Sequence, residues 1–320
     1  MEHAGHSSHP ERPDHNPEKS GIFKRIEAIG NREVDAMDSP RQLQEFLTSP
    51  DPEIAISALQ VAGNFIGDQA LFEEVLRMAA SHSEEEVRGI ACNCLGNVIY
   101  DGLEFEAELP EGVEAPEPQG KSEFYQTVKE FLLGRVDALM ESMEVRRRIV
   151  ESLGYLAWKA EVREIVLRYY RQAPNPFVKV SALYAMGLVK DPVFERIILE
   201  ELYSANENVL IEAAHASHML HLRAAAPRLA ELARHSSLDV RYEAVMALGF
   251  VGHPEILPDL FGQIESENKD SQDIAEALKH ARSALKQRSM IERGETLWDD
   301  QQVLSEIDEM LENPESGSQP

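Results

Sequence analysis

The residues best placed to do chemistry are three histidines in one short run, His215-Ala-Ser-His218-Met-Leu-His221. Offsets of three on a helix bring at least two imidazoles near each other, and zinc could use such a pair. Neither His215 nor His218 has a carboxylate four residues on, and Glu212 is the one acid close by. A catalytic zinc would need a third protein ligand and an open position. We therefore expect surface or groove histidines and assign no metal ligand here. Four further histidines, His3, His6, His9 and His15, lie among proline, serine and charge. A metal site needs fixed geometry and a supporting shell, so a solvated tail is the simpler expectation. Cys92 and Cys94 are two apart in a helical stretch and point to different faces, which argues against a disulfide framework or a closed thiolate site. The chain has no nucleophile elbow, phosphate-cradling glycine loop or zincin helix. The expectation is a protein without catalytic residues or cofactor.

Charge narrows the partners. The chain has 320 residues with 57 acidic against 31 basic, a net charge of −26 with histidine neutral. Such a field repels phosphate backbones and anionic headgroups, so nucleic acid and membrane surfaces are poor partners, and a partner held by charge is basic. A 43% hydrophobic content is near the globular average and supports a sizeable core. No apolar run approaches the roughly 20 residues that span a bilayer, and the N-terminus lacks a secretory signal's apolar stretch. A soluble, cytoplasmic chain is expected.

The elements that must position any site come from an internal repeat. Ile54-Ala-Ile-Ser-Ala-Leu-Gln-Val-Ala-Gly63 aligns with Val87-Arg-Gly-Ile-Ala-Cys-Asn-Cys-Leu-Gly96, 33 residues later. The frame returns from Val145 to Gly154, Val178 to Gly187, Val209 to His218 and Val240 to Gly249, and a degraded copy runs from Ile274 to Ser283. Positions one, five and nine of each copy are mostly apolar or small, the i, i+4, i+8 stripe of one buried helical face. Glycine at position ten costs roughly 1 kcal/mol in a helix, so it predicts close helix approach; His218 and Ser283 stand there instead in copies five and seven. A second amphipathic stretch precedes each copy, among them Phe124 to Met140, with turn material between. Each unit reads as a helical hairpin that must stack on its neighbours to bury its apolar face.

These segments resemble HEAT repeats, most closely the short bacterial form also found in bilin lyases. The carriers are Asp239-Val-Arg-Tyr-Glu-Ala-Val-Met-Ala-Leu-Gly249 and Glu86-Val-Arg-Gly-Ile-Ala-Cys-Asn-Cys-Leu-Gly96; the first copy departs, with Ala55 where Arg is usual. The resemblance implies an all-α, right-handed α-solenoid of about seven hairpins, with the second helices lining its concave side. It is weak for activity, since the architecture hosts many functions. Two related enzyme types are set aside. Deoxyhypusine hydroxylase uses His-Glu dipeptides, which this chain lacks, and the HEAT-like alkylpurine DNA glycosylases present a basic groove. A bilin-lyase-like or other ligand-handling role remains the alternative to a protein-binding adaptor.

The expected layout is a disordered tail over 1–20, a capping helix over 21–37, the solenoid over 38–288 and an acidic amphipathic helix with tail over 289–320. The segment 101–120 holds seven acids and no base together with proline and glycine, and is expected to be an extended loop inserted in the array. If positions one, five and nine face the core, positions three and seven are freer. In the middle copies these are Val180, Tyr184, Ile211, His215, Tyr242 and Met246, a semi-apolar stripe suited to contact with a partner. Arg147, Tyr155 and Trp158 are expected to extend it.

Overall fold

The computed structural model describes residues 17–35, 37–107, 121–157, 159–189 and 191–292. Among them are α-helices and short 3-10 turns and no strands. The chain divides into two compact units, 1–155 and 156–320. The first holds α1 (Pro17–Gly30) and three hairpins: α2 (Ser39–Leu47) with α3 (Pro52–Ala62), α4 (Gln69–Ser81) with α5 (Glu85–Ala107), and α6 (Lys121–Arg135) with α7 (Met143–Leu153). The second holds four: α8 (Ala160–Arg171) with α9 (Pro176–Gly187), α10 (Pro192–Glu201) with α11 (Glu207–Met219), α12 (Ala226–Leu232) with α13 (Leu238–Val251), and α14 (Leu257–Glu267) with α15 (Gln272–Glu292).

Local chemistry sets the helix starts. Asp51, Ser142, Asn175 and Asn206 each accept a hydrogen bond from a first-turn backbone N–H of α3, α7, α9 and α11, a cap worth about 1 kcal/mol. Pro52, Pro176 and Pro192 open α3, α9 and α10, where the missing N–H costs nothing. Positions one, five and nine are buried in the first six copies, as Val178, Ala182 and Met186 illustrate. In the seventh, position nine is Arg282, exposed and 2.7 Å from Glu265.

Second helices pack in series, α3 on α5 and α5 on α7 in the first unit, α9 on α11, α11 on α13 and α13 on α15 in the second. Position ten controls how closely. A Cβ placed on Gly249 would lie 2.6 Å from the Ala281 Cα and carbonyl oxygen, so only glycine lets α13 and α15 meet backbone to backbone. The arginine at position two clasps its own hairpin turn. Arg88 donates to the His82 and Ser83 carbonyls, Arg146 to Ala138, and Arg241 to His235 and Ser236. Copies four and five have Lys179 and Leu210 there, and the tie passes to the neighbour. Lys179 reaches Glu201 of the next hairpin at 2.8 Å, Tyr170 donates to the same carboxylate at 2.6 Å, and Arg228 donates to the Leu202 carbonyl at 3.1 Å.

Three expectations need adjustment. The helix expected over Phe124–Met140 stops at Arg135, leaving Leu139 and Met140 almost wholly exposed in the turn. Residues 101–107, read as the start of an extended loop, continue α5. A Cβ on Gly102 would stand 2.4 Å from the Tyr125 ring, so this glycine serves the α5–α6 packing rather than ending the helix. The first helix spans Pro17–Gly30, not 21–37, and Arg32 turns the chain with φ 59°. The expectations for 1–16, for 108–120 and for 293–320 lie outside the described residues.

Candidate functional site

The stripe on the second helices of the second unit is neither core nor solvent. Val180 and Tyr184 on α9, Ile211 and His215 on α11, and Tyr242 and Met246 on α13 are all half-buried. Around them the rings form a row. The Tyr184 ring stacks on His215 with centroids 6.1 Å apart, His215 lies 4.9 Å from His218, and His218 stacks on Phe250 at 4.8 Å. Two carboxylates flank the imidazoles. Glu212 Oε1 is 3.2 Å from His215 Nδ1, and Glu243 Oε1 is 3.7 Å from His218 Nδ1.

Their protonation differs because their surroundings differ. The hydrogen bond to Glu212 raises the His215 pKa above its ordinary value against the opposing effect of burial. Burial lowers that of His218 to about 4, helped by the neighbouring imidazoles of His215 and His221, so His218 is neutral at pH 7. Its Nδ1 is sealed from solvent and has no hydrogen-bond partner. Burial also raises the Glu243 pKa, with Glu212 adding repulsion and His215 a partly compensating attraction. Among the described residues, no group of three or more His, Cys, Asp or Glu is arranged to hold a metal ion.

A family model of HEAT repeats matches residues 195–279, the stretch that contains α11 and α13. That stretch is built of HEAT-like repeats. No curated protein matches it in sequence. Similar solved structures include Escherichia coli YibA, at 16% identity with a TM-score of 0.43, covering 86% of this chain and 99% of that one. An engineered protein aligns at 16% identity, TM-score 0.37, over 96% and 97%. Human deoxyhypusine hydroxylase aligns at 15% identity, TM-score 0.36, over 84% and 99%. Likenesses this distant carry no conclusion about the site.

The HEAT frame shows what the sequence reading found and missed. The six stripe residues from Val180 to Met246 fall on three consecutive second helices that pack in series. Arg147 and Tyr155 belong to the first unit and are engaged there. Arg147 is held by Glu144 and Glu151 of its own helix, and the Tyr155 ring lies 5.3 Å from Tyr100. Trp158 lies outside the described residues. The residues missed are Glu243 and Phe250. A signal for Glu243 existed: copies five and six alone carry glutamate at position four, Glu212 and Glu243. His218, standing where glycine is expected at position ten, fills that slot with a ring stacked on Phe250.

Proposed function

We propose that this chain is a non-enzymatic adaptor that docks a segment of a protein partner on the α9–α11–α13 face. One observation carries the reading: three second helices packed in series each present half-buried aromatic, imidazole or thioether side chains, Tyr184, His215, Tyr242 and Met246, where an indifferent solvated face would carry lysine and glutamate. Rings and thioethers of this kind provide contact area at low entropy cost and adapt to a partner. The architecture supports a scaffold role, and among the described residues no helix is long and apolar enough to cross a membrane.

A ligand-handling role of the bilin-lyase type has less support. The cavity beside Gly63–Gly67 in the first unit, walled by Val98, Asp101 and Phe124, holds about 240 Å³, below the range of drug-sized sites, and the wider hollows at Pro192–Tyr203 and Leu238–Asp273, about 420 and 460 Å³, lie largely open to solvent. The adaptor reading is tested by affinity purification from the native cell with the wild type and with a Tyr184→Ala, Tyr242→Ala variant. A stoichiometric partner that the folded double variant fails to retain is the expected result. Undiminished capture would place the contact elsewhere.

A further inference from the structure

Resting on the docking reading above, we propose that the α11–α13 junction receives an arginine side chain of the partner segment. Glu243 is the first ground. Its side chain is only 18% exposed, and the one ionisable contact it makes is His218 Nδ1 at 3.7 Å, beyond hydrogen-bonding distance. No lysine or arginine of the described residues pairs with it. Carboxylates drawn out of water are normally matched by a cation or by N–H donors; here the His215 imidazole attracts Glu243 only from beyond ion-pair distance, and no N–H donor reaches it.

The second ground is the imidazole beside Glu243. His218 is neutral at pH 7 and leaves the Glu243 charge unmatched, and the guanidinium, with five N–H groups in one plane, meets a carboxylate better than an ammonium. The third ground is the row of rings from Tyr184 to Phe250, since guanidinium planes stack on aromatic faces. Charge completes the case. Positions three, four and seven of α9, α11, α13 and α15 include Glu212, Glu243 and Glu276, with no lysine or arginine, on a chain of net charge −26. Glycine at position ten, as in α9 and α13, would remove the imidazole; in α11 His218 stands in that slot and sets a ring beside Glu243.

The experiment uses the full chain and three synthetic peptides of one length, alternating alanine with arginine, with lysine or with glutamate. Binding is read by calorimetry in about 0.15 M salt, where charges more than roughly 8 Å apart are screened. The arginine peptide is expected to bind and to shift the His218 imidazole resonances, the lysine peptide to bind more weakly, and the glutamate peptide not at all. Glu243→Gln should weaken the arginine peptide at least about tenfold, the loss expected for a charged hydrogen bond, with His218→Gln, its fold checked by circular dichroism, as a second comparison. Equal binding of arginine and lysine peptides, unaltered by either substitution, would overturn the assignment and leave only bulk attraction. If Tyr184→Ala, Tyr242→Ala abolishes capture of the natural partner while Glu243→Gln keeps it, the docking face stands and the arginine fails. If the tyrosine variant still captures the partner, the docking face itself fails.

Discussion

Glu141 in the first unit and Glu243 in the second are both glutamates largely withdrawn from water, yet their surroundings are opposite. Glu141, 3% exposed, takes Arg88 at 3.1 Å, Arg135 at 2.7 Å and the Ser142 backbone N–H at 3.1 Å. Burial alone would raise its pKa, but the hydrogen bonds from Arg88, Ser142 and Arg135 outweigh it and hold the carboxyl below the usual range. Glu243 has no such cation, and its pKa is raised. The same residue type is thus a finished structural joint in one place and an unfilled demand in the other. Where the repeat supplies its own cations the carboxylate is held in its charged form, and where it supplies none the carboxyl is pushed towards neutrality.

The comparison can be broken in four ways. The largest effect belongs to Glu141→Gln, which takes the countercharge from Arg88 and Arg135 and should cost about 3 kcal/mol in urea unfolding. Its contribution is full above the unfolded carboxylate value of 4.5 and is lost as pH falls through the lower folded value. Gly249→Ala comes next, at about 2 kcal/mol, because the new methyl meets Ala281 backbone and not a mobile side chain. His218→Gln acts through pH. Below 6.5 the unfolded imidazole takes a proton that the folded one refuses until about 4, so wild-type stability falls as pH drops through that window. Folded Glu243 and His215, both raised in pKa, take up protons more readily and oppose this, so the readout is a difference: between pH 7 and pH 5 the wild type should lose about 2 kcal/mol relative to the variant. Smallest is Glu243→Gln, which should leave stability at pH 7 within about 0.5 kcal/mol or raise it slightly. A loss like that of Glu141→Gln would mean that Glu243 already has a structural partner, and the contrast would collapse.

Much of this was legible in the chain. The seven copies announce themselves because burial imposes a 3.6-residue period on each second helix, and capping residues such as Asn175 and Asn206 mark the starts. Gly102 was misread because a glycine's helix penalty is only about 1 kcal/mol, small enough for packing on Tyr125 to override. Met140 was included in a helix because apolar spacing alone does not say where a turn leaves the core. The face from Val180 to Met246 was readable from position within the repeat. Glu243 and Phe250 were not, because their meaning depends on which side chain stands opposite on α11, a relation between repeats rather than within one.

The ties that copies four and five make to their neighbours have a dynamic consequence. Lys179 and Tyr170 on Glu201, and Arg228 on Leu202, link α8 through α12 by bonds that cross hairpin boundaries. Backbone amides along that stretch should exchange with deuterium as one block rather than hairpin by hairpin.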